Sequence, residues 1–196
     1  NRNFRIRRSL NWLVLGMTYA FLYWGRYNLQ VGMQALGSPE MIKDFNWIFG
    51  AGTVVYGVSF VVNGPLTDRK GGRFSILAAS FGAAVANLLM GLAVWAKQNG
   101  QISDGAMFWS LVVLYTTNMY FQSFGAVAIV KVNAHWFHVR ERGTFGAIFG
   151  ILISLGIYFA FDWSFANSKA MSIYWAFVAP GLALAMMWLV CIFLVS

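Results

Sequence analysis

Six apolar segments, each long enough to form a membrane-spanning helix, dominate this sequence and constrain its fold. A helix needs about 20 mostly apolar residues to cross the hydrocarbon of a bilayer. Short polar breaks separate the segments, namely SPEMIKD, TDRKGGR, KQNGQISD, HVRER and ANSK. The pattern predicts an all-α membrane protein with six transmembrane helices in one bundle over residues 1–196, spanning roughly 10–36, 45–66, 74–96, 106–134, 143–163 and 171–195.

The composition also indicates a membrane protein. Hydrophobic residues make up 59% of the chain and charged residues 10%, whereas soluble domains carry about 25% charged residues. The net charge of +8 does not indicate nucleic-acid binding, because the basic residues lie in short clusters between long apolar runs, as topology signals do. The single cysteine, Cys191, cannot form an internal disulfide. With no phosphate-binding loop, nucleophile elbow or metal-ligand cluster, the sequence predicts neither an enzyme nor a cofactor or metal site.

The distribution of Lys and Arg predicts the orientation of the chain. The N-terminus and the second and fourth breaks carry nine such residues, whereas the other breaks carry three, Lys43, Lys97 and Lys169. Because cytoplasmic loops carry the excess of basic residues, we expect a cytoplasmic N-terminus in a bacterial inner membrane. The last segment ends at FLVS without a basic residue, and the chain begins with Asn rather than Met. Both features favour part of a longer protein.

Arg26 is an unexpected residue in the first segment, because a guanidinium cannot be deprotonated and is costly near the centre of a bilayer. Spacings of four, three and four residues predict that one helical face carries Tyr19, Tyr23, Arg26 and Gln30. The segments offer no carboxylate at mid-membrane depth, since each Asp and Glu lies in or near a break. Two interpretations remain open: Arg26 binds an anionic substrate through its planar fork of donors, or it pairs internally with protein oxygens.

The second break carries a denser motif, NGPLTDRKGGR at residues 63–73. Gly64 would let another backbone approach closely at the end of a helix, and Asp68 could accept hydrogen bonds from a neighbouring helix terminus. Arg69 and Arg73 could close ion pairs across the cytoplasmic face. The motif resembles the loop 2–3 signature of the major facilitator superfamily, G-x-L-a-D-r-x-G-r-k, with Gly72 in place of a basic residue. A simple positive-inside loop is the alternative interpretation.

A second resemblance is carried by YWGRYN at residues 23–28 and KVNAHWFHVRERG at residues 131–143. These stretches resemble the organophosphate:phosphate antiporters, which include glycerol-3-phosphate and hexose-phosphate transporters. The matching residues are Tyr23, Arg26, Asn28, His135, Trp136, Phe137, Glu141, Arg142 and Gly143. The resemblance covers essentially the whole chain, which would correspond to the N-terminal half of a twelve-helix protein of this family.

The resemblance implies six helices in each half and a substrate site at the midplane between the halves. It implies that Arg26 binds the substrate phosphate. From the helical face that they share with Arg26, we expect Tyr19, Tyr23 and Gln30 to form the cavity wall. Two positions depart from glycerol-3-phosphate carriers: Phe60 stands where they place a lysine, and Ile153 where they place a histidine.

Other polar and small residues allow more than one interpretation. Lys131 either extends to the cytoplasmic interface or lies on the path by which substrate enters, and His135 and His138 suit the interface. Asn118 and Gln122 suit either the cavity or interhelical hydrogen bonds. The small residues of GAIFG at 146–150 and ASFGAAVA in the third segment predict tight packing against neighbouring helices.

These features predict a secondary transporter, or half of one, that moves an organic anion such as a phosphate ester in exchange for phosphate by alternating access. One six-helix bundle needs an opposing bundle for this, either its own C-terminal half or another chain. The alternatives are a membrane sensor of a sugar phosphate and a non-transporting subunit of a membrane complex.

Overall fold

The computed structural model describes residues 2–36, 39–136 and 138–195, with the side chains at 2–5, 33–36, 39–42, 133–136, 139, 142 and 145 excepted. Seven α-helices follow one another in this part of the chain: α1 (Arg2–Leu36), α2 (Pro39–Lys70), α3 (Gly72–Gln98), α4 (Asp104–Trp136), α5 (Arg142–Tyr158), α6 (Ser164–Ala170) and α7 (Trp175–Leu194). A 3-10 turn at Val139–Glu141 precedes α5, and a π-helical segment at Phe159–Trp163 joins α5 to α6. The described residues contain no strand, which confirms the all-α class.

Four stretches are long and apolar enough to cross a membrane within the described chain: Lys43–Lys70, Gly72–Gln98, Gly146–Ala170 and Trp175–Leu194. The other two long helices are α1 with 35 residues and α4 with 33. Several of their polar side chains are buried, including Arg26 and Asn28 in α1 and Asn118 and Gln122 in α4. These two helices therefore contribute to a polar interior of the bundle.

The helices pack through small residues in α3. α3 lies between α4 and α7, α2 packs on α4, and α1 packs on α5 and α7. A Cβ at Gly82 would collide with the ring of Phe121 in α4, and a Cβ at Gly91 would lie 3.3 Å from the Tyr174 carbonyl oxygen before α7. The predicted tight packing of the small residues of the third segment is confirmed.

The corresponding prediction for GAIFG is wrong within the described chain. A Cβ at Gly146 or Gly150 would meet no atom within 4 Å. The close approach of this helix occurs farther along, at Gly156, where a Cβ would collide with the Ala20 carbonyl of α1. Gly146, Ala147 and Gly150 are exposed, whereas Phe149 of the same stretch packs against α1, so the glycines of GAIFG make no helix contact within the described chain.

Helices extend into several of the predicted breaks, and α2 already begins at Pro39 within SPEMIKD. The ANSK break is helical, because α6 continues to Ala170 and the chain turns only at residues 171–174. α2 likewise continues through TDRK to Lys70, and the backbone turns at Gly71, whose φ of 91° favours glycine. Polar residues mark where a helix leaves the apolar zone, whereas the helix itself ends where the backbone turns.

Candidate functional site

Arg26 lies two-thirds along α1 and is 9% exposed. Its guanidinium carbon, Cζ, lies 4.8 Å from the ring centre of Tyr23 and 4.4 Å from that of Tyr56 in α2. Both distances are within the range of attractive cation–π contacts. Two tyrosine rings therefore provide an aromatic environment for the buried cation.

The polar contacts of Arg26 leave part of its fork unused. Its Nε donates a hydrogen bond to Gln122 Oε1 at 3.0 Å. Its Nη2 is buried and has no hydrogen-bond partner. The ion pairs found among the described residues, Arg8–Glu141, Lys97–Asp104 and Lys131–Asp68, do not involve Arg26. In this part of the chain, the positive charge is held by an amide and two rings and not by a carboxylate.

One face of α4 holds the middle of α1 through three hydrogen bonds. Tyr115 Oη donates to the Arg26 carbonyl oxygen at 3.0 Å, and Asn118 Nδ2 donates to the Gly25 carbonyl oxygen at 2.9 Å. Gln122 Oε1 accepts the bond from Arg26 Nε. Spacings of three and four residues place these α4 side chains on one helical face, so a single stripe fixes both the backbone and the side chain at Arg26.

A chain of amides continues from this stripe into the bundle. Gln122 Nε2 donates to Asn118 Oδ1 at 3.1 Å, and Asn87 Nδ2 of α3 donates to the same oxygen at 3.2 Å. Asn28 Nδ2 of α1 donates to Asn87 Oδ1 at 2.8 Å and also to the Ala176 carbonyl oxygen at 3.2 Å. These amide side chains are fully buried, so the network joins α1, α3, α4 and α7 in the interior of the bundle.

The structure brings together part of the predicted stripe on α1. The rings of Tyr19 and Tyr23 are in edge contact at 5.1 Å, and Tyr23 contacts Arg26. Gln30 is half-buried and makes no hydrogen bond within the described chain. Phe60 lies near this cluster, because its ring centre is 6.4 Å from that of Tyr56. Ile153 is half-buried in α5.

The residues of the 63–73 motif make contacts within the bundle. Asp68 forms an ion pair with Lys131, whose Nζ also donates to the Asp68 carbonyl oxygen at 3.1 Å. Arg73 Nη2 donates to the Ile192 carbonyl oxygen near the end of α7 at 2.8 Å. Arg69 is exposed. The expected close backbone approach at Gly64 is absent from the described chain, because a Cβ there would meet no atom within 4 Å.

The two histidines of the 131–143 motif have different outcomes. The side chain of His135 lies outside the described residues, whereas His138 is exposed and accepts a 3.4 Å hydrogen bond from the backbone N–H of Arg140. In the part of the chain that could be searched, no three His, Cys, Asp or Glu side chains come together as metal ligands.

Tyr56, Tyr115 and Asn87 were not anticipated from the sequence. Tyr115 could have been found from the spacing of polar side chains at 115, 118 and 122, which defines one face of α4. Tyr56 and Asn87 lie on other helices, in otherwise apolar segments. Their role becomes visible only when the rotation of α2 and α3 against α1 is known.

Comparisons with known proteins agree with the resemblance that the motifs carry. No protein-family model matches the chain. The chain is similar to the glycerol-3-phosphate transporter of Bacillus subtilis, with 27% identity over 139 residues that cover 70% of this chain and 30% of that protein. The resemblance to the organophosphate:phosphate antiporters is confirmed.

Further relatives are of two kinds. The membrane sensor protein UhpC of Escherichia coli is 21% identical over 146 residues, which cover 74% of this chain and 30% of the sensor. The glycerol-3-phosphate transporter of Haemophilus influenzae is 26% identical over 154 residues, which cover 76% of this chain and 30% of that protein. The matched stretches thus cover less than a third of the length of these relatives, which are named as transporters and a sensor rather than as enzymes. Together with its apolar helices, they indicate an integral membrane protein.

Proposed function

We propose that this chain is half of a secondary transporter that moves an organic anion, of the phosphate-ester class, in exchange for phosphate. The observation that carries the proposal is the buried Arg26 guanidinium with an unpartnered Nη2. A buried donor without a partner costs free energy, and an anion with two oxygens would satisfy the fork. The similarity to glycerol-3-phosphate transporters supports a phosphate oxyanion as that ligand.

The remaining predicted residues have proposed roles around Arg26. Tyr19, Tyr23 and Gln30 line the substrate cavity beside it. Asp68, Arg69, Arg73 and Gly64 form a cytoplasmic gate, and Lys131 lies on the path by which substrate enters it. The Asp68–Lys131 ion pair supports a joint role for these two residues at the ends of α2 and α4.

Transport by alternating access requires an opposing surface across the substrate site. We propose that six helices of this chain span the bilayer, with α5, the π-helical segment and α6 acting as one of them. The N-terminus lies in the cytoplasm, as the basic clusters favour. A second six-helix bundle, from the same protein or from another chain, completes the site.

Replacement of Arg26 by lysine tests the transport function. One ammonium cannot reproduce two parallel hydrogen bonds to an oxyanion, so we expect Arg26→Lys to reduce phosphate counterflow by about tenfold or more. The measurement is uptake of radiolabelled phosphate by proteoliposomes that contain the complete protein and are loaded with phosphate. Arg140→Lys, an equivalent change at an exposed position outside the proposed site and gate, is the control and should leave uptake unchanged. Equal uptake by wild type and Arg26→Lys would remove Arg26 from the mechanism.

A sensor is the second candidate, because the chain is similar to UhpC. A sensor needs to bind its ligand but not to exchange it across the bilayer. Saturable binding of phosphate esters by the purified protein without counterflow would favour this function. Counterflow that depends on Arg26 would favour the transporter.

A further inference from the structure

The contacts of Arg26 determine which edge of its guanidinium remains available. A guanidinium offers two donor pairs to an oxyanion, Nη1 with Nη2 at its end and Nε with Nη2 at its side. Gln122 Oε1 occupies Nε, so the side pair is already used by the protein. The rings of Tyr23 and Tyr56 lie against the planar group. The Tyr56 hydroxyl also interacts with the guanidinium. Nη2 has no hydrogen-bond partner, so the end pair that includes it is the edge we assign to a ligand.

The direction of the hydrogen bonds explains why Gln122 turns its oxygen toward Arg26. The Gly25 carbonyl can only accept a bond, so the Asn118 amide must point its Nδ2 at it. The Asn118 oxygen then faces Gln122, which must donate through Nε2. This leaves Gln122 Oε1 directed at Arg26 Nε. This chain of hydrogen bonds begins at the Gly25 carbonyl oxygen of α1 and ends at Nε of Arg26, the next residue of the same helix.

A second donor strengthens this arrangement. Asn87 Nδ2 donates to the Asn118 oxygen and also to the Ala83 carbonyl oxygen at 2.9 Å. Because that carbonyl is another obligate acceptor, Asn87 cannot turn its amide around without losing a buried bond. The orientation of Asn118, and through it that of Gln122, is therefore determined from two helices.

We propose that Gln122 is a positioning residue that holds Arg26 by Nε, so that an oxyanion is bound end-on through Nη1 and Nη2. This inference rests on the proposed anion-binding function. It adds that residues of α4 determine the geometry in which the anion binds to Arg26. Asn118 and Asn87 set the orientation of the Gln122 amide. The substrate phosphate group binds to the two terminal nitrogens, and the protein keeps the third.

Two substitutions separate positioning from folding. Gln122→Met has a similar length but no acceptor, so Arg26 loses its anchor, and we expect the Kd for inorganic phosphate to rise about tenfold or more. Ser123→Ala is the matched control. Ser123 Oγ accepts a 2.7 Å bond from Asn63 Nδ2 of α2, so its loss also removes one buried interhelical bond but does not reach Arg26. We expect Ser123→Ala to lower the melting temperature and leave the Kd unchanged.

Gln122→Glu provides a readout that a purely structural role would not produce. Its carboxylate keeps an acceptor beside Nε but neutralises Arg26, so the bound anion must compete with a charge of the same sign. We expect phosphate affinity to fall about a hundredfold, which is more than in Gln122→Met. The carboxylate also gives up the bond that Gln122 donates to Asn118, but its ion pair with Arg26 should keep the melting temperature without phosphate at or above that of Gln122→Met. A larger loss of affinity than in Gln122→Met without a larger loss of stability is the signature of positioning.

The measurements are isothermal titration of the complete, detergent-solubilised protein with inorganic phosphate, and thermal unfolding without it. Wild-type phosphate binding that survives both Gln122 substitutions unchanged would overturn the positioning role while leaving the anion site intact. An increase in the Kd for phosphate in Gln122→Met that is no larger than in Ser123→Ala would also overturn the positioning role. Absence of phosphate binding by wild type would instead overturn the proposed function, and the positioning role with it.

Discussion

At Arg26, a small number of identifiable contacts compensates the free-energy cost of burying a charge. A guanidinium at the centre of a membrane helix costs about 3 kcal/mol or more. Contacts with the rings of Tyr23 and Tyr56 can return about 1–2 kcal/mol each, and the charge-assisted bond to Gln122 about 1.5–3 kcal/mol. These contributions are sufficient to keep Arg26 buried without a carboxylate. The unpartnered Nη2 remains as the group that an anion would stabilise.

Glycine is required at position 25, next to Arg26, by the close approach of the amide network. A Cβ there would lie 2.8 Å from Asn87 Nδ2 and 3.2 Å from Leu184 Cδ1. We expect Gly25→Ala to reduce the free energy of unfolding by about 1–3 kcal/mol, because these side chains must move. The measurement is thermal or denaturant unfolding in detergent.

Gly57→Ala is the control for this substitution. Gly57 lies on an exposed face of α2, and a Cβ there would meet no atom within 4 Å. Alanine favours a helix over glycine by about 1 kcal/mol, so this variant should be as stable as wild type or more stable. Equal losses of stability in both variants would show that crowding at Asn87 is not the cause.

At the scale of the helices, the polar interior depends on which faces meet. The α1 stripe could be predicted because Tyr19, Tyr23 and Arg26 share one helix and follow its period. The contribution of Tyr56 and Asn87 could not, since periodicity within one helix does not fix its rotation against another. Hydropathy located the helices well but misplaced their ends, because α2 and α6 continue through polar residues.

The join between α5 and α6 contains a buried contact that sequence alone did not indicate. Trp24 Nε1 donates a 2.7 Å hydrogen bond to Ser164 Oγ directly after the π-helical segment. The same indole packs against Phe159 and Trp163 at ring distances of 5.7 and 5.8 Å. This contact fixes the end of the π-helical segment against α1.

Removal of the Ser164 hydroxyl tests that contact. Ser164→Ala leaves the Trp24 indole N–H buried without an acceptor, and we expect a loss of about 1–3 kcal/mol in the free energy of unfolding. Ser154→Ala is a suitable control, because Ser154 is exposed and its hydroxyl bonds only to the Gly150 carbonyl of its own helix. Thermal unfolding of both variants checks the prediction, and similar melting temperatures for the two would contradict it.

At the scale of the whole molecule, our proposal makes this chain one half of a larger transporter. The stretches matched in its relatives cover less than a third of their length, and Gly64 and the glycines of GAIFG have no neighbour among the described residues. The sequence could indicate the family through its motifs, because those motifs lie within this half. It could not identify the substrate, because Arg26 would form only one side of a site completed by a second bundle.

The most direct test of the account is equilibrium binding of inorganic phosphate and glycerol 3-phosphate to the complete, purified protein, compared with its Arg26→Lys and Arg140→Lys variants. The account predicts saturable binding by wild type, an affinity about tenfold or more lower for Arg26→Lys, and an unchanged affinity for Arg140→Lys, at an exposed position. Equal affinities of wild type and Arg26→Lys, or no saturable binding by wild type, would contradict an anion site at Arg26.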